Sequence, residues 1–371
     1  MPLPGHATLE GTARYADRFG GRAAGGHFRE RDGKWLSSLG IGTYLGEHDA
    51  ATDELYARAV ARAMELGVNV IDTAINYRFQ RSERSVGAAL KVQVAAGKLA
   101  RDEVVVATKG GFLTPDGDFP PDPNAYFRRE YLEKGVLKPE DVVGGMHCMS
   151  PRYLEDQLAR SRTNLDLETI DIYFVHNPET QLQAVPRVEF LRRLGLAFGK
   201  LESAVRAGAI RCYGVATWDG FRRPPRATDY LSLEEIGNLA EEVGGKEHHF
   251  KVVQLPFNLA MPEAYAFANQ KVGREEVPFL EAARRLGITV LASASMLQGQ
   301  VARDLPHELR SALNGGLTTD AQRAIQFTRS APGVDTALVG MKRVEHVEEN
   351  LKLREVPPLS AERFRSFFSK E

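Results

Sequence analysis

Residues 61–90 read ARAMELGVNVIDTAINYRFQRSERSVGAAL, and their order decides the fold. A helical pattern closes at Leu66-Gly67. A short apolar run, Val68-Asn69-Val70-Ile71, then stops on Asp72. Tyr77 follows in the loop, and a second helical pattern starts near Ser82. The order is helix, strand, chemical loop, helix. A buried strand that delivers an acid at its C-terminal end, with a phenol just beyond, puts both where α/β proteins bind and transform ligands. Asp72 alone reads as readily as a cap or turn acid, so its weight comes from its company.

Outward from this stretch the same unit repeats. Strands are expected at Leu39–Thr43, Val68–Asp72, Val104–Lys109, Ile170–His176, Ile210–Ala216, Lys251–Leu255, Ile288–Ala292 and Thr336–Gly340. Helices after each are centred near Ala59, Ala88, Leu158, Leu201, Leu239, Ala282, Ala324 and Val347. Residues 55–64 set Leu55, Tyr56, Ala59, Val60, Ala63 and Met64 on one face, with Asp53, Glu54, Arg58 and Arg62 opposite. Gly67, Gly208, Gly245 and Gly287 close four helices, where a left-handed C-cap favours glycine. Eight strand–helix units point to an α/β fold of the (β/α)8 TIM-barrel type rather than an open doubly wound sheet. Strand count alone does not separate the two, but no G-x-G-x-x-G follows the first strand.

Around the repeats, residues 1–26 are glycine-rich and read as an N-terminal arm without its own core. His27–Leu39 reads as a hairpin turning at Asp32-Gly33, covering the N-terminal end of the barrel. The barrel domain is expected over 27–355 and a C-terminal tail over 356–371. A long insertion, 112–149, leaves the third strand after Lys109-Gly110-Gly111 and returns to a helix capped by Ser150. Loops that long are usually functional or disordered. This one is expected to act as a lid that shapes the pocket without supplying catalytic groups.

The chain has 371 residues, 43% hydrophobic and 26% charged, with a formal net charge of −1. That balance argues against a generic nucleic-acid or anionic-membrane surface. Two cysteines, Cys148 and Cys212, make neither a disulfide framework nor a zinc spacing, and no metal site is expected. No run approaches the roughly 18 apolar residues of a membrane span, and the first residues lack a secretory apolar region. The expectation is a cytoplasmic protein; its oligomeric state is not written in the sequence.

The second strand ends on Asp72 with Tyr77 in its loop, the third on Lys109 and the fourth on His176. In a barrel all four face one mouth. A lysine closing an apolar strand needs a partner, and Asp72 on the neighbouring strand can supply one. A Lys–Asp pair beside a phenol is expected to favour phenolate and lower the tyrosine's pKa, as suits a proton donor near neutrality. A nearby histidine can hydrogen-bond and orient a carbonyl oxygen.

With these residues the chain resembles the aldo-keto reductase family. The matching runs are Leu39–Thr43; Asp72, Tyr77, Ser82-Glu83 and Gly87; Ala107-Thr108-Lys109; Asp171–Pro178; Gly208–Val215; Val253-Gln254 with Asn258; and Gly340-Met341-Lys342 with Glu349-Asn350. The resemblance covers roughly residues 34–352. It implies a (β/α)8 barrel, NADP(H) extended across its C-terminal face, and reversible reduction of a small-molecule carbonyl to an alcohol. It implies Tyr77 as general acid, Asp72 and Lys109 as its tuning pair, and His176 as the group orienting the carbonyl. Cofactor contacts are implied for Gly42, Thr43, Ala216, Thr217, Gln254, Ser293, Gly340, Lys342, Arg343, Glu349 and Asn350. Lys342 and Arg343, read as starting the last helix, suit a 2′-phosphate.

Two departures stand out. The family's Ser-Asn after strand five is Ala216-Thr217 here, and its nicotinamide-stacking tyrosine after strand seven is Ser293. Either another aromatic such as Trp218 takes over the stacking, or the ring is held loosely, or not at all. Tyr44, Phe79, Phe112 and Trp218 are the expected substrate wall, apolar or sugar-stacking. Two other functions compete: a cofactor-binding regulatory or partner-binding barrel with little reductase activity, and an enzyme using Lys109 as a Schiff-base nucleophile. The second is disfavoured because an ammonium held charged by Asp72 is a poor nucleophile.

Overall fold

Helix α1 (Leu9–Asp17) and an antiparallel hairpin, β1 (Phe28–Arg31) and β2 (Lys34–Ser37), lead the chain into the fold in a computed structural model that describes residues 1–369. The end of the expected tail, residues 370 and 371, lies outside those residues. The hairpin turns at Asp32 and Gly33, both with positive φ, as Asp-Gly hairpin turns require.

Eight runs buried on both faces then form a closed parallel barrel. They are β3 (Leu39–Gly42), β4 (Val70–Asp72), β5 (Val105–Gly110), β6 (Ile170–His176), β7 (Ile210–Ala216), β8 (Phe250–Pro256) and, beyond a second hairpin of β9 (Ala268–Val272) and β10 (Glu275–Pro278), β11 (Thr289–Ser293) and β12 (Thr336–Gly340). The strands pair in that order, and β12 closes on β3. The main outer helices are α2 (Ala50–Glu65), α3 (Arg81–Ala95), α5 (Pro151–Leu165), α6 (Arg187–Arg206), α7 (Leu233–Gly244), α9 (Phe279–Arg285), α11 (Asp320–Ser330) and α12 (Val344–Asn350). Shorter ones are α4 (Pro123–Phe127), α8 (Glu263–Ala266), α10 (His307–Ala312) and α13 (Ala361–Arg365). The (β/α)8 barrel is therefore as expected, and all four helix-closing glycines, 67, 208, 245 and 287, take positive φ. The β9–β10 hairpin was not expected, because its exposed and buried residues do not alternate cleanly.

Two apolar layers hold the barrel. Alternate strand residues fill the lumen: Val70, Val105, Ala107, Ile172, Phe174, Cys212, Val252, Leu291 and Leu338. Leu36 of the hairpin and Ala7 join that cluster and plug its N-terminal end. The other layer joins strands to helices and includes Tyr15 and Phe19. Residues 1–26, expected as an arm without a core, thus contribute a helix and two buried rings to the barrel's own core. The glycine content had hidden the short amphipathic pattern around Tyr15. Phe364 of the C-terminal segment is also buried, against Phe257 and Phe327.

The insertion is packed. Tyr131, Val136, Leu137, Cys148 and Tyr153 make a small cluster of their own. Its first residues tie back to the loop after β4: the Gln80 amide donates to the Pro115 carbonyl at 3.1 Å, and Arg81 donates to the Gly117 carbonyl at 2.8 Å.

Candidate active site

The register of the parallel strands brings the chemical residues together. Asp72 pairs with Ala107 of β5, Lys109 with Phe174 of β6, and His176 of β6 with Ala216 of β7. Side chains at these strand ends share the C-terminal mouth.

Lys109 is fully buried, and each of its three N–H groups has an acceptor. Nζ donates to both carboxylate oxygens of Asp72 at 2.8 Å and to the Thr73 carbonyl at 2.8 Å. Sequence reasoning anticipates the Asp72 partner but not Thr73, which becomes an acceptor only because the chain turns directly after β4. Burial still lowers the Lys109 pKa, with Asp72 opposing. Gln254 completes the carboxylate's partners, donating from Nε2 to Asp72 Oδ1 at 2.7 Å. A buried charge needs this number of partners to stay ionised.

Tyr77 stands over the pair. The Lys109 ammonium lies 4.7 Å from its ring centroid, a cation–π contact. Tyr44 and His176 approach the same ring at 5.0 and 5.9 Å, both edge-on. The expected lowering of the phenol's pKa does not occur. Burial first, then the Asp72 carboxylate, then Tyr44 hold it well above its ordinary value. The reason is geometric: desolvation of phenolate and the nearby Asp72 carboxylate outweigh the lysine charge, which is itself engaged by Asp72 and the Thr73 carbonyl. His176 is shifted the other way. Burial, Lys109 and His147 keep its imidazole neutral, and its Nδ1 is buried without a partner.

The residues expected to contact a cofactor lie at or just beyond strand ends and in α12. Gly42 and Gly340 lie opposite each other in register, and the space above Gly340 is open. Thr43 donates from Oγ1 to the Asp72 carbonyl at 3.2 Å. Ala216 and Thr217 are buried, and Thr217 Oγ1 has no partner. In α12 Asn350 is buried with Oδ1 unpartnered, while the Glu349 carbonyl accepts from Gln322. Lys342 and Arg343 have no carboxylate partner among the described residues. They do not start a helix as expected: α12 begins at Val344, Arg343 is its N-cap residue, and the helix has only seven residues. Ser293 ends β11, partly exposed. Among the described residues, no group of His, Cys, Asp and Glu is placed to hold a metal ion, and no helix is long and apolar enough to cross a membrane.

The residues expected as a substrate wall differ in exposure and packing. Tyr44 is 56% exposed and Trp218 42%. Phe79 packs against His48 at 4.9 Å and against Phe119 of the insertion at 6.0 Å. Arg78, Phe79 and Gln80 all adopt positive φ, a costly run for non-glycine residues and one that clusters at functional sites. Phe112 lies edge-on to His176 at 5.0 Å.

Glu179 was missed from the sequence. Buried just past β6, its Oε1 accepts from the main-chain N–H groups of Trp218 and Asp219 at 2.8 and 3.2 Å. Burial raises its carboxyl to about 7.

Comparison with known proteins agrees with this fold. The model of the Aldo/keto reductase family matches residues 38–370. The NADH-specific methylglyoxal reductase of Escherichia coli is 31% identical over 209 residues, 54% of this chain and 53% of that protein, so the chain spans about half of that relative's length. A putative voltage-gated potassium channel subunit beta of Schizosaccharomyces pombe is 24% identical over 341 residues, covering 88% and 86%. Among solved structures, an aldo/keto reductase from Klebsiella pneumoniae in complex with NADP and acetate superposes with a TM-score of 0.60 at 19% identity, covering 91% of this chain and 93% of that one.

Proposed function

Because the chain belongs to the aldo/keto reductase family, an oxidoreductase family of carbonyl reduction, we propose that it reversibly reduces an aldehyde or ketone with NADPH, using Tyr77 as the acid. The observation that carries this reading is the Lys109 ammonium, satisfied on three sides and held 4.7 Å from the Tyr77 ring centroid.

The roles follow from the geometry. A phenol held above its ordinary pKa stays protonated through neutrality, so Tyr77 keeps a proton at its hydroxyl to give to the carbonyl oxygen. The phenolate left behind is stabilised by the lysine charge across the ring, and Asp72 with Gln254 keeps that charge in place. Neutral His176 would hydrogen-bond the same oxygen and fix its direction. An amine whose three protons are all engaged has no free lone pair, which argues against a Schiff-base role for Lys109.

The cofactor residues fit a dinucleotide laid across the mouth. Thr217 Oγ1 and Asn350 Oδ1 are buried polar atoms without partners among the described residues, and buried polar atoms are rarely left so. When bound, the cofactor supplies the hydride. Thr217 would meet the carboxamide, and Asn350 with Glu349 the adenine. Lys342 and Arg343, without a carboxylate partner among the described residues, would meet a 2′-phosphate, which favours NADPH. Ser293 offers no ring, and Trp218, with its main chain fixed by Glu179, is the aromatic proposed to take the stacking role. Tyr44, Phe79, Phe112 and Phe119 form an aromatic rim suited to a planar, apolar or sugar-like carbonyl substrate.

Loss of reduced-nicotinamide absorbance over a panel of aldehydes and ketones, alongside binding titrations of NADPH and NADH, tests the reading. Turnover with NADPH preferred is the expected result. Tight NADPH binding without turnover of any carbonyl would favour the partner-binding alternative, and no binding of either nucleotide would refute both.

A further inference from the structure

The insertion returns to the barrel at the point where it left. Phe112 and His147 form an antiparallel bridge, and the Cys148 N–H donates to the Gly111 carbonyl at 2.8 Å. His147 is thereby fixed, fully buried, beside the end of β6. Its Nε2 lies 2.7 Å from the main-chain carbonyl oxygen of His176, and its Nδ1 lies 2.9 Å from Gln181 Nε2.

These partners decide the tautomer. A carbonyl only accepts, so Nε2 carries the hydrogen. The Gln181 amide is oriented because its Oε1 accepts from Arg193 at 2.8 Å, leaving its N–H to donate to Nδ1. Burial lowers the His147 pKa to about 4, so the ring remains a neutral, single donor. The approach also requires Gly111: at φ +154, a Cβ there would lie 2.8 Å from the His176 oxygen and 3.0 Å from His147 Nε2. The Phe112 ring meets both imidazoles edge-on, at 5.2 and 5.0 Å. Beyond His176 the chain leaves the sheet through Asn177 in a left-handed conformation, so His176 is the last residue with strand support.

We propose that His147 is a positioning residue of the active site: by donating Nε2–H to the His176 carbonyl it fixes the main chain that carries the His176 imidazole. The insertion then acts as a strut for the carbonyl-orienting group, in addition to any part it has in forming the pocket. The proposal rests on the oxidoreductase reading only for what His176 does with substrate. Misplacement of a reacting group by a fraction of an ångström to an ångström costs on the order of tenfold to a hundredfold in rate.

Two conservative variants separate positioning from packing. The His147→Gln amide reaches the Nε2 position and retains the donor; His147→Asn reaches only the Nδ1 position and loses it. His147→Asn is expected to lower kcat for carbonyl reduction by about tenfold or more, with NADPH affinity within about twofold of wild type. His147→Gln is expected to stay within about threefold of wild-type kcat. If the two variants behave alike, both intact or both impaired, the proposal is overturned. A thermal melt of both variants guards against a folding failure: His147→Asn that melts with wild type yet keeps wild-type kcat overturns the idea. Nitrogen NMR shifts of the His176 imidazole give a readout without turnover, moving in His147→Asn and not in His147→Gln. If the wild-type protein reduces no carbonyl, the functional reading fails, while unchanged His176 shifts in His147→Asn would independently refute the positioning role.

Discussion

Replacing Lys109 by methionine removes an ammonium whose three N–H bonds end on Asp72 Oδ1, Asp72 Oδ2 and the Thr73 carbonyl, each at 2.8 Å. Methionine fills similar volume, so the change is chiefly electrostatic. The buried Asp72 carboxylate is left with Gln254 Nε2 as its side-chain donor. Removing one partner of a buried ion pair costs about 3–5 kcal/mol. At about 2.1 cal/mol/K of unfolding entropy per residue, a chain of 371 residues loses about 1.3 °C of Tm per kcal/mol, which predicts a drop of about 4–6 °C. Activity should fall further. Even when paired, the Asp72 carboxylate raises the Tyr77 pKa, and without the lysine its charge acts on the forming phenolate unopposed, so kcat should drop about a hundredfold or more. Adding Asp72→Asn makes the pair neutral on both sides. That double variant should recover most of the lost Tm without recovering kcat, because the buried charge is gone but the stabilising cation is still missing. The assays are a thermal melt by circular dichroism and initial rates on the best carbonyl substrate. A Lys109→Met protein with wild-type Tm and kcat would refute the pairing argument; a double variant with restored kcat would show that charge balance alone matters.

Tyr77→Phe removes only the hydroxyl and should lower kcat by about a hundredfold with the melt and NADPH binding preserved; near-normal turnover would exclude Tyr77 as the acid. Lys342→Glu should abolish the NADPH preference, seen as an affinity ratio to NADH that falls by about tenfold or more; equal wild-type affinities would remove the 2′-phosphate assignment. Glu179 sets a pH dependence of stability. Its folded pKa, about 7 against an ordinary 4.5, means the folded state binds the extra proton, so this contribution is complete below about pH 4.5 and is lost as pH rises through 7. The amount is about 3 kcal/mol. Denaturant unfolding of wild type against Glu179→Gln at about pH 5 and about pH 8 should show the wild type losing stability relative to the variant at the higher pH; a constant difference would contradict it.

The sequence by itself determined an α/β fold of eight covered strands. Runs such as Val104–Lys109 and Ile170–His176 are mostly apolar on both faces, as covered parallel strands are, and a 3.6-residue stripe recurs between strands; closure into a ring is made by the pairing of β12 with β3. It also determined that Asp72, Lys109 and His176 meet, because each ends a strand and parallel strands align their ends. Tertiary structure alone decided the rest, since those contacts depend on where loops return rather than on local pattern. Gln254 reaches Asp72 across the mouth, from a strand far away in sequence. Thr73 offers its carbonyl to Lys109 only because the chain turns there. His147 finds the His176 carbonyl because the insertion's two ends are bridged at Phe112. Even the direction of the Tyr77 pKa was not legible from residue types. A lysine, an aspartate and a phenol are the same three groups in either case. Whether the cation lowers the phenol's pKa depends on which oxygen it faces and how much water is excluded, and only the folded geometry sets both.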